Sequence, residues 1–189
     1  AAKSEPKIAQ MIARAIQTVR DEIPIVGIGT LVSEGKVTEA LALIPLDRLS
    51  VLSAELPKEL RDVLEMSGSR AAAMLGQISA KFEDVRFDVF NQQAVTWMRN
   101  RGAALVTNIS EETRQSIRNL IVTAFQEGIP PIPAGRKIRD MVGLTERQWK
   151  AVENYRTLLE SEGMKNVNER VASYAQRQLR YRAKMIART

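Results

Sequence analysis

Apolar residues recur along most of this chain three and four positions apart, the spacing of helices with one face turned inward. Ile8, Met11, Ile12, Ala15, Ile16 and Val19 form the first such stripe, with Pro6 tolerated in the opening turn. Pro24, Gly27 and Gly29 then interrupt it, and short helical pieces are predicted around Thr30 to Ser33 and Val37 to Ile44. Pro45 and Pro57 punctuate the next stretch. From Pro57 a longer helix is predicted, because Leu60, Val63, Leu64, Ser67, Ala71, Met74, Leu75 and Ile78 keep one face. Gly68 and Gly76 each weaken it by about 1 kcal/mol relative to Ala and leave a break near Ser67 to Ser69 open.

Residues 82–89 alternate through Phe82, Val85, Phe87 and Val89, which fits either a short strand or a helix terminus. No other segment offers a partner strand, and a lone strand cannot satisfy its backbone groups. The predicted class is therefore all-α. A helix from about Phe90 to Leu105 would bury Phe90, Ala94 and Trp97, with Met98 alongside.

The second half of the chain carries clearer punctuation. Ser110 before Glu111 and Glu112 reads as a helix start, with acids beside the positive end of the helix dipole. Ile117, Leu120, Ile121, Ala124 and Phe125 come next on one face, and Gly128 is the natural C-terminal cap. Ile129-Pro130-Pro131-Ile132-Pro133 reads as a stiff, extended connector. A short helix around Arg136 to Val142 ends at Gly143. Thr145 and Gln148 have capping-box spacing, opening a helix that turns Trp149, Val152, Tyr155 and Leu159 to one side. After Gly163 comes a basic helix whose inner stripe is Val171, Tyr174, Ala175, Leu179, Arg182 or Ala183, and Ile186. The expected architecture is multi-helix, two helical segments joined by the Pro-rich connector, with an extended arrangement as open as a compact one. The chain stops at Met185-Ile186-Ala187-Arg188-Thr189 in mid-helix, and it begins without Met. Both ends lead us to expect a piece of a longer polypeptide.

Composition narrows the chemistry. The 189 residues are 44% hydrophobic and 26% charged, the balance of a soluble globular chain of one domain or two small ones. There is no Cys and no His, which removes disulfides, thiolate and imidazole metal sites, cysteine nucleophiles and the Ser-His-Asp triad. No apolar run approaches the roughly 18 residues that span a bilayer, and no signal-peptide pattern opens the chain. The net charge of +6 lies entirely in the last 25 residues, where Lys165, Arg170, Arg177, Arg180, Arg182, Lys184 and Arg188 face a single acid, Glu169. That asymmetry points to an anionic partner, nucleic acid first, with an acidic protein surface or a merely solvated face as the plain alternatives.

Other motifs carry less. Gly27-Ile28-Gly29-Thr30 lacks both the Gly-Lys-Ser/Thr ending of a phosphate loop and the third glycine of a dinucleotide fingerprint, so a helix break explains it better. The adjacent pairs Asp21-Glu22, Glu83-Asp84 and Glu111-Glu112 point in different directions on a helix and cannot face each other across a substrate. Tyr174 and Tyr181, seven apart among the arginines, fit packing against the domain as well as stacking on bases. No catalytic, cofactor-binding or metal-binding constellation emerges.

The stretch from Ile109 to Thr189 does resemble a known family. Its marks are Phe125-Gln126-Glu127-Gly128, the Pro-containing connector, Val142-Gly143-Leu144-Thr145, Trp149, Asn154-Tyr155 and the closing Tyr181-Arg182-Ala183-Lys184-Met185-Ile186-Ala187-Arg188-Thr189. This pattern resembles the N-terminal part of the phage Mu F-like minor head protein (head morphogenesis) family, in which the Ile-Ala-Arg-Thr ending is followed by Glu and a further subdomain. The division implied is an N-terminal helical region over 1–108, docking on partners, and a truncated head-morphogenesis domain over 109–189. The resemblance implies a non-enzymatic minor capsid protein of the virion, inside the head near the portal vertex and in the host cytoplasm during assembly. It would be present in several copies and act in head assembly and DNA packaging or delivery. The implied partners are the portal protein, the major capsid protein as a second candidate, and packaged DNA through non-specific phosphate contacts, with no membrane in the mature head and no cofactor. The competing expectation is a stand-alone helical nucleic-acid-binding protein that uses the same basic helix.

Overall fold

The computed structural model describes residues 5–79, 81 and 84–188. Among them the helical stripes become eight α-helices and one 3-10 helix, with no strand. They are α1 (Glu5–Asp21), α2 (Ile25–Ser33), α3 (Val37–Ala42), a 3-10 turn (Leu46–Ser50), α4 (Val51–Ile78), α5 (Gln92–Gln126), α6 (Pro131–Met141), α7 (Glu146–Ser161) and α8 (Val167–Arg188). The all-α, multi-helix expectation holds. Of the alternating stretch, Phe82 and Glu83 lie outside the described residues, and residues 85–88 form neither strand nor helix.

One apolar core runs through the bundle from α1 to α8. Ile8, Ile12, Ile16 and Val19 of α1 are buried, and α1 packs along α8, whose Val171, Ala175, Leu179 and Ala183 are buried in the same core. Full burial of each such Ile or Leu stabilises by roughly 1.5–3 kcal/mol relative to exposure. The chain's two ends are thereby laid side by side. The position between residues 108 and 109 falls inside α5, which continues without interruption from Gln92 to Gln126.

Several local expectations are corrected. Ser110 is no helix start: α5 begins eighteen residues earlier, where the Asn91 side chain accepts from the backbone N–H groups of Gln93 (2.7 Å) and Ala94 (3.3 Å). The chain before Ser110, Ala103-Ala104-Leu105-Val106, contains nothing that would stop a helix. Glu111 and Glu112 are therefore mid-helix residues, not first-turn acids. Likewise α4 starts at Val51, not at Pro57, and runs unbroken past Ser67 to Ser69. An interior proline costs about 3 kcal/mol. Here Leu52 and Leu56, both fully buried, hold the helix in place against that penalty, and the Pro57 ring fits against Gly102 of α5.

Glycines and prolines that read as breaks act as contacts. Gly29 lies inside α2, where a Cβ would come within 1.9 Å of the Pro131 carbonyl oxygen; at Gly135 of α6 a Cβ would meet the Ile25 carbonyl oxygen at 2.1 Å. The two glycines thus let α2 and α6 cross backbone to backbone. The Pro-rich connector is shorter than expected. Pro131 occupies the first turn of α6, where a missing N–H costs nothing, so Pro131, Ile132 and Pro133 are helical.

Other signals are borne out. Gly128 ends α5 with φ +63°, and Ile129 N–H returns to the Ala124 carbonyl. The Thr145–Gln148 capping box forms in both directions, at 3.3 and 3.1 Å, and turns Trp149, Val152 and Leu159 into the core. The distal halves of α4 and α5 differ from expectation in burial. Met74, Leu75 and Ile78 of α4 are exposed, although the Phe87 ring lies against Gly68 of the same helix. Exposed too are Phe90 (70%), with the Arg61 guanidinium over its ring, and Trp97 (49%), which lines a groove with Ile8, Leu60 and Ile186; both were expected to be core. Met98, on the facing side of α5, is buried instead.

Candidate anion-binding face

Twenty-two residues in one helix give α8 two opposed sides. At about 100° per residue, Val171, Ala175, Leu179 and Ala183 fall together on the core side. Arg170, Arg177, Arg180 and Lys184 fall on the opposite one. All four are exposed, and none forms an ion pair with a described residue. Over roughly 14 residues they span about 21 Å along the helix axis.

The seven basic residues singled out in the sequence do not act alike. Arg182 is buried, at 6% exposure, and donates to the Glu112 carboxylate of α5. Burial lowers its pKa from the ordinary guanidinium value, with Glu112 opposing the shift. Its other terminal nitrogen, Nη1, has no hydrogen-bond partner among the described residues. Arg188 pairs with Glu5 of α1 at 2.6 Å, fastening the end of α8 to the start of α1. Lys165 is exposed in the turn before α8, off the helical row. The row that remains is Arg170, Arg177, Arg180 and Lys184.

Two shallow grooves flank that row and share Gln176 and Arg180. One, of about 450 Å³, lies between α1 and α8 and brings Arg14 into line with Arg180 and Lys184, with Gln10 and Gln17 alongside. The other, of about 740 Å³, lies toward α7 and holds Arg170 and Arg177 together with Tyr155 and the single acid Glu169. Tyr174 packs against Tyr155, ring centroids 4.8 Å apart, and the Arg177 guanidinium lies 5.5 Å from the Tyr174 ring. That contact holds the guanidinium on the outer side of α8. Tyr181 stays 60% exposed, so one of the two tyrosines packs and the other does not.

Beneath the face lies a polar anchor absent from the sequence-based expectations. Arg20, on the continuation of the α1 stripe, is 5% exposed. Its Nε donates to the Val142 carbonyl (2.9 Å), Nη2 to the Asp140 carbonyl (2.8 Å) and Nη1 to the Gln176 side-chain oxygen (3.3 Å). It therefore satisfies carbonyls at the end of α6, which the helix itself leaves open. It also fixes Gln176 at the junction of the two grooves. Desolvation lowers its pKa to about 10, with Asp140 the largest opposing influence. A legible hint existed: Arg20 is four residues after Ile16, on the apolar side. Arg14, Gln10 and Gln176 were missed for a different reason, since only the α1–α8 packing brings them to the basic row.

No protein-family model matches the chain, and no curated protein or solved structure matches it. Among the described residues, no group of three or more Asp or Glu is placed to hold a metal ion. No described helix is long and apolar enough to cross a membrane. What the face can do chemically is hold anions: four or five permanent cations with amide donors between them, in water and without competing carboxylates except Glu169.

Proposed function

We propose that this chain is part of a structural minor head protein of a tailed phage, portal-associated inside the capsid, acting in head assembly and genome packaging or delivery. The observation that carries the reading is the open row of Arg170, Arg177, Arg180 and Lys184 on α8. That row lies in the segment whose sequence resembles the Mu F-like head proteins. A protein beside densely packed DNA gains from cations that neutralise phosphates without reading sequence. In this reading α8 contributes charge neutralisation, and the exposed apolar sides of α4 and α5 are open to portal or capsid subunits. The reading assigns the protein no catalytic role.

The test is native mass spectrometry of the protein mixed with the portal protein of the same phage, in nuclease-treated samples. A stoichiometric complex that survives nuclease is expected and also yields the copy number. If no complex forms and the protein co-purifies only with DNA, the virion reading falls and a stand-alone nucleic-acid-binding protein takes its place.

A further inference from the structure

We infer that the groove between α1 and α8, continued by the adjoining groove toward α7, is a seat for the phosphodiester backbone of duplex DNA, built from five cations on two helices: Arg14, Arg180 and Lys184 in the first groove, and Arg170 and Arg177 in the second. This deepens the proposed function and rests on its DNA contact, though not on a location in a phage head. Three observations carry it beyond a generally basic helix. First, Arg14 comes from the opposite end of the chain, yet lines the same groove as Arg180 and Lys184. The site is a track with two walls, not one side of one helix. Second, the rest of the α1–α8 groove is amide and small: Gln10 and Gln176 supply neutral donors beside Gln17, while Pro6, Ala9 and Ala13 keep the floor low enough for a rod-like backbone to approach. Third, no large apolar side chain lines the α1–α8 groove, and in the adjoining one the Tyr155 ring is packed on Tyr174, with Glu169 the single acid. Protein interfaces take most of their affinity from buried aromatic and aliphatic anchors, whereas phosphate contacts need Arg, Lys and amide donors.

Duplex is favoured over single strand for a related reason. Sequence-tolerant single-strand binding relies on successive bases stacking on aromatic rings. Here Tyr155 and Tyr174 are occupied with each other and with Arg177, and Tyr181 alone stands clear in this part of the helix. A duplex presents one phosphate charge per roughly 1.7 Å of axis. A row about 21 Å long therefore meets enough charge to engage all five cations without the DNA bending.

The prediction is quantitative. Five neutralised phosphates give a slope of about −4.5 in log K against log salt, or about a 500-fold loss of affinity between about 50 and 200 mM. We would measure fluorescence anisotropy of a labelled duplex of about 30 base pairs over that range, with the intact chain and with Arg14→Gln, Arg180→Gln and, as a control away from the groove, Arg118→Gln. Thermal melts verify that each variant is folded. Each groove variant should flatten the slope by about 0.9, so that the same salt change costs about 150-fold, whereas Arg118→Gln should leave it unchanged. A scrambled duplex should bind equally well.

Three results would overturn the inference: an Arg14→Gln slope equal to that of the unsubstituted chain, tighter binding of a single strand than of the duplex, or displacement by polyglutamate as effective as by DNA at equal charge. The last would assign the groove to an acidic protein surface. Failure of the phage-head reading looks different. Arg14-dependent DNA binding with no portal complex would remove the virion and keep the groove, and a portal complex untouched by Arg14→Gln with no DNA binding would do the reverse.

Discussion

Replacing Arg20 with alanine tests the claim that a buried guanidinium holds α1, α6 and α8 in register. The side chain is 5% exposed and makes three hydrogen bonds, two of them to carbonyls at the end of α6. A bond from a charged donor contributes about 1.5–3 kcal/mol, and orphaned buried carbonyls retain their desolvation cost. Lost burial of the three methylenes adds about 0.8 kcal/mol each. Against this, the substitution relieves the desolvation that lowers the guanidinium pKa to about 10. At about 1.36 kcal/mol per pKa unit, that relief is worth about 3 kcal/mol. The low end of these contributions gives a net destabilisation of about 4 kcal/mol, in keeping with the loss of one partner from a buried charged contact. For a chain of this length it lowers Tm by about 8–16 °C. Arg20→Met keeps most of the packing and leaves the carbonyls unpaired, so it should fall between the two. Differential scanning calorimetry at neutral pH reads both. A Tm within about 2 °C of the unsubstituted protein for Arg20→Ala, or an Arg20→Met as stable as the parent, would refute the reasoning, because the α6 carbonyls would then be satisfied by water.

The packing dictates two further outcomes. Gly29→Ala places a Cβ where the Pro131 carbonyl oxygen sits, so α2 and α6 must separate; overpacking of this kind costs about 1–3 kcal/mol and should lower the urea midpoint, whereas Gly128→Ala, which meets no neighbour within 4 Å, carries only the strain of its positive φ. Acrylamide quenching should separate the two tryptophans: Trp149→Phe leaves the exposed Trp97 and a steep quenching curve, and Trp97→Phe leaves the buried Trp149 and a shallow one. Equal curves would contradict the placement of Trp97 on the open side of α5.

The candidate site was legible in part. Its charge asymmetry is a matter of counting, and helical spacing alone places Arg170, Arg177, Arg180 and Lys184 on one side. The same counting overreached at Arg182 and Arg188, because a sequence records charge and not what lies opposite it. Glu112 and Glu5 are 70 and 183 residues away from the residues they bind. Nothing local could announce them, nor the alignment of Arg14 with the basic row.

By itself the sequence determined the helical class, the inward faces of α1, α7 and α8, the capping box at Thr145 and the cap at Gly128, since each depends on residues within a turn or two of one another. Tertiary structure decided the rest. It made Gly29, which reads as a break in the sequence, a crossing point with Gly135 of α6, because the value of both lies in the backbone that another helix brings against them. It left Phe90 and Trp97 exposed although they are apolar, because the neighbours that reach them, Arg61 over the Phe90 ring and a groove shared with Ile8, Leu60 and Ile186 at Trp97, cover only part of each ring, and a side chain is buried only where a second element arrives to cover it. It also carried α5 straight through Ser110: a capping residue starts a helix only where the preceding chain has left the helical conformation, and here tertiary packing buries Ile109, Thr113 and Ser116 along one continuous side.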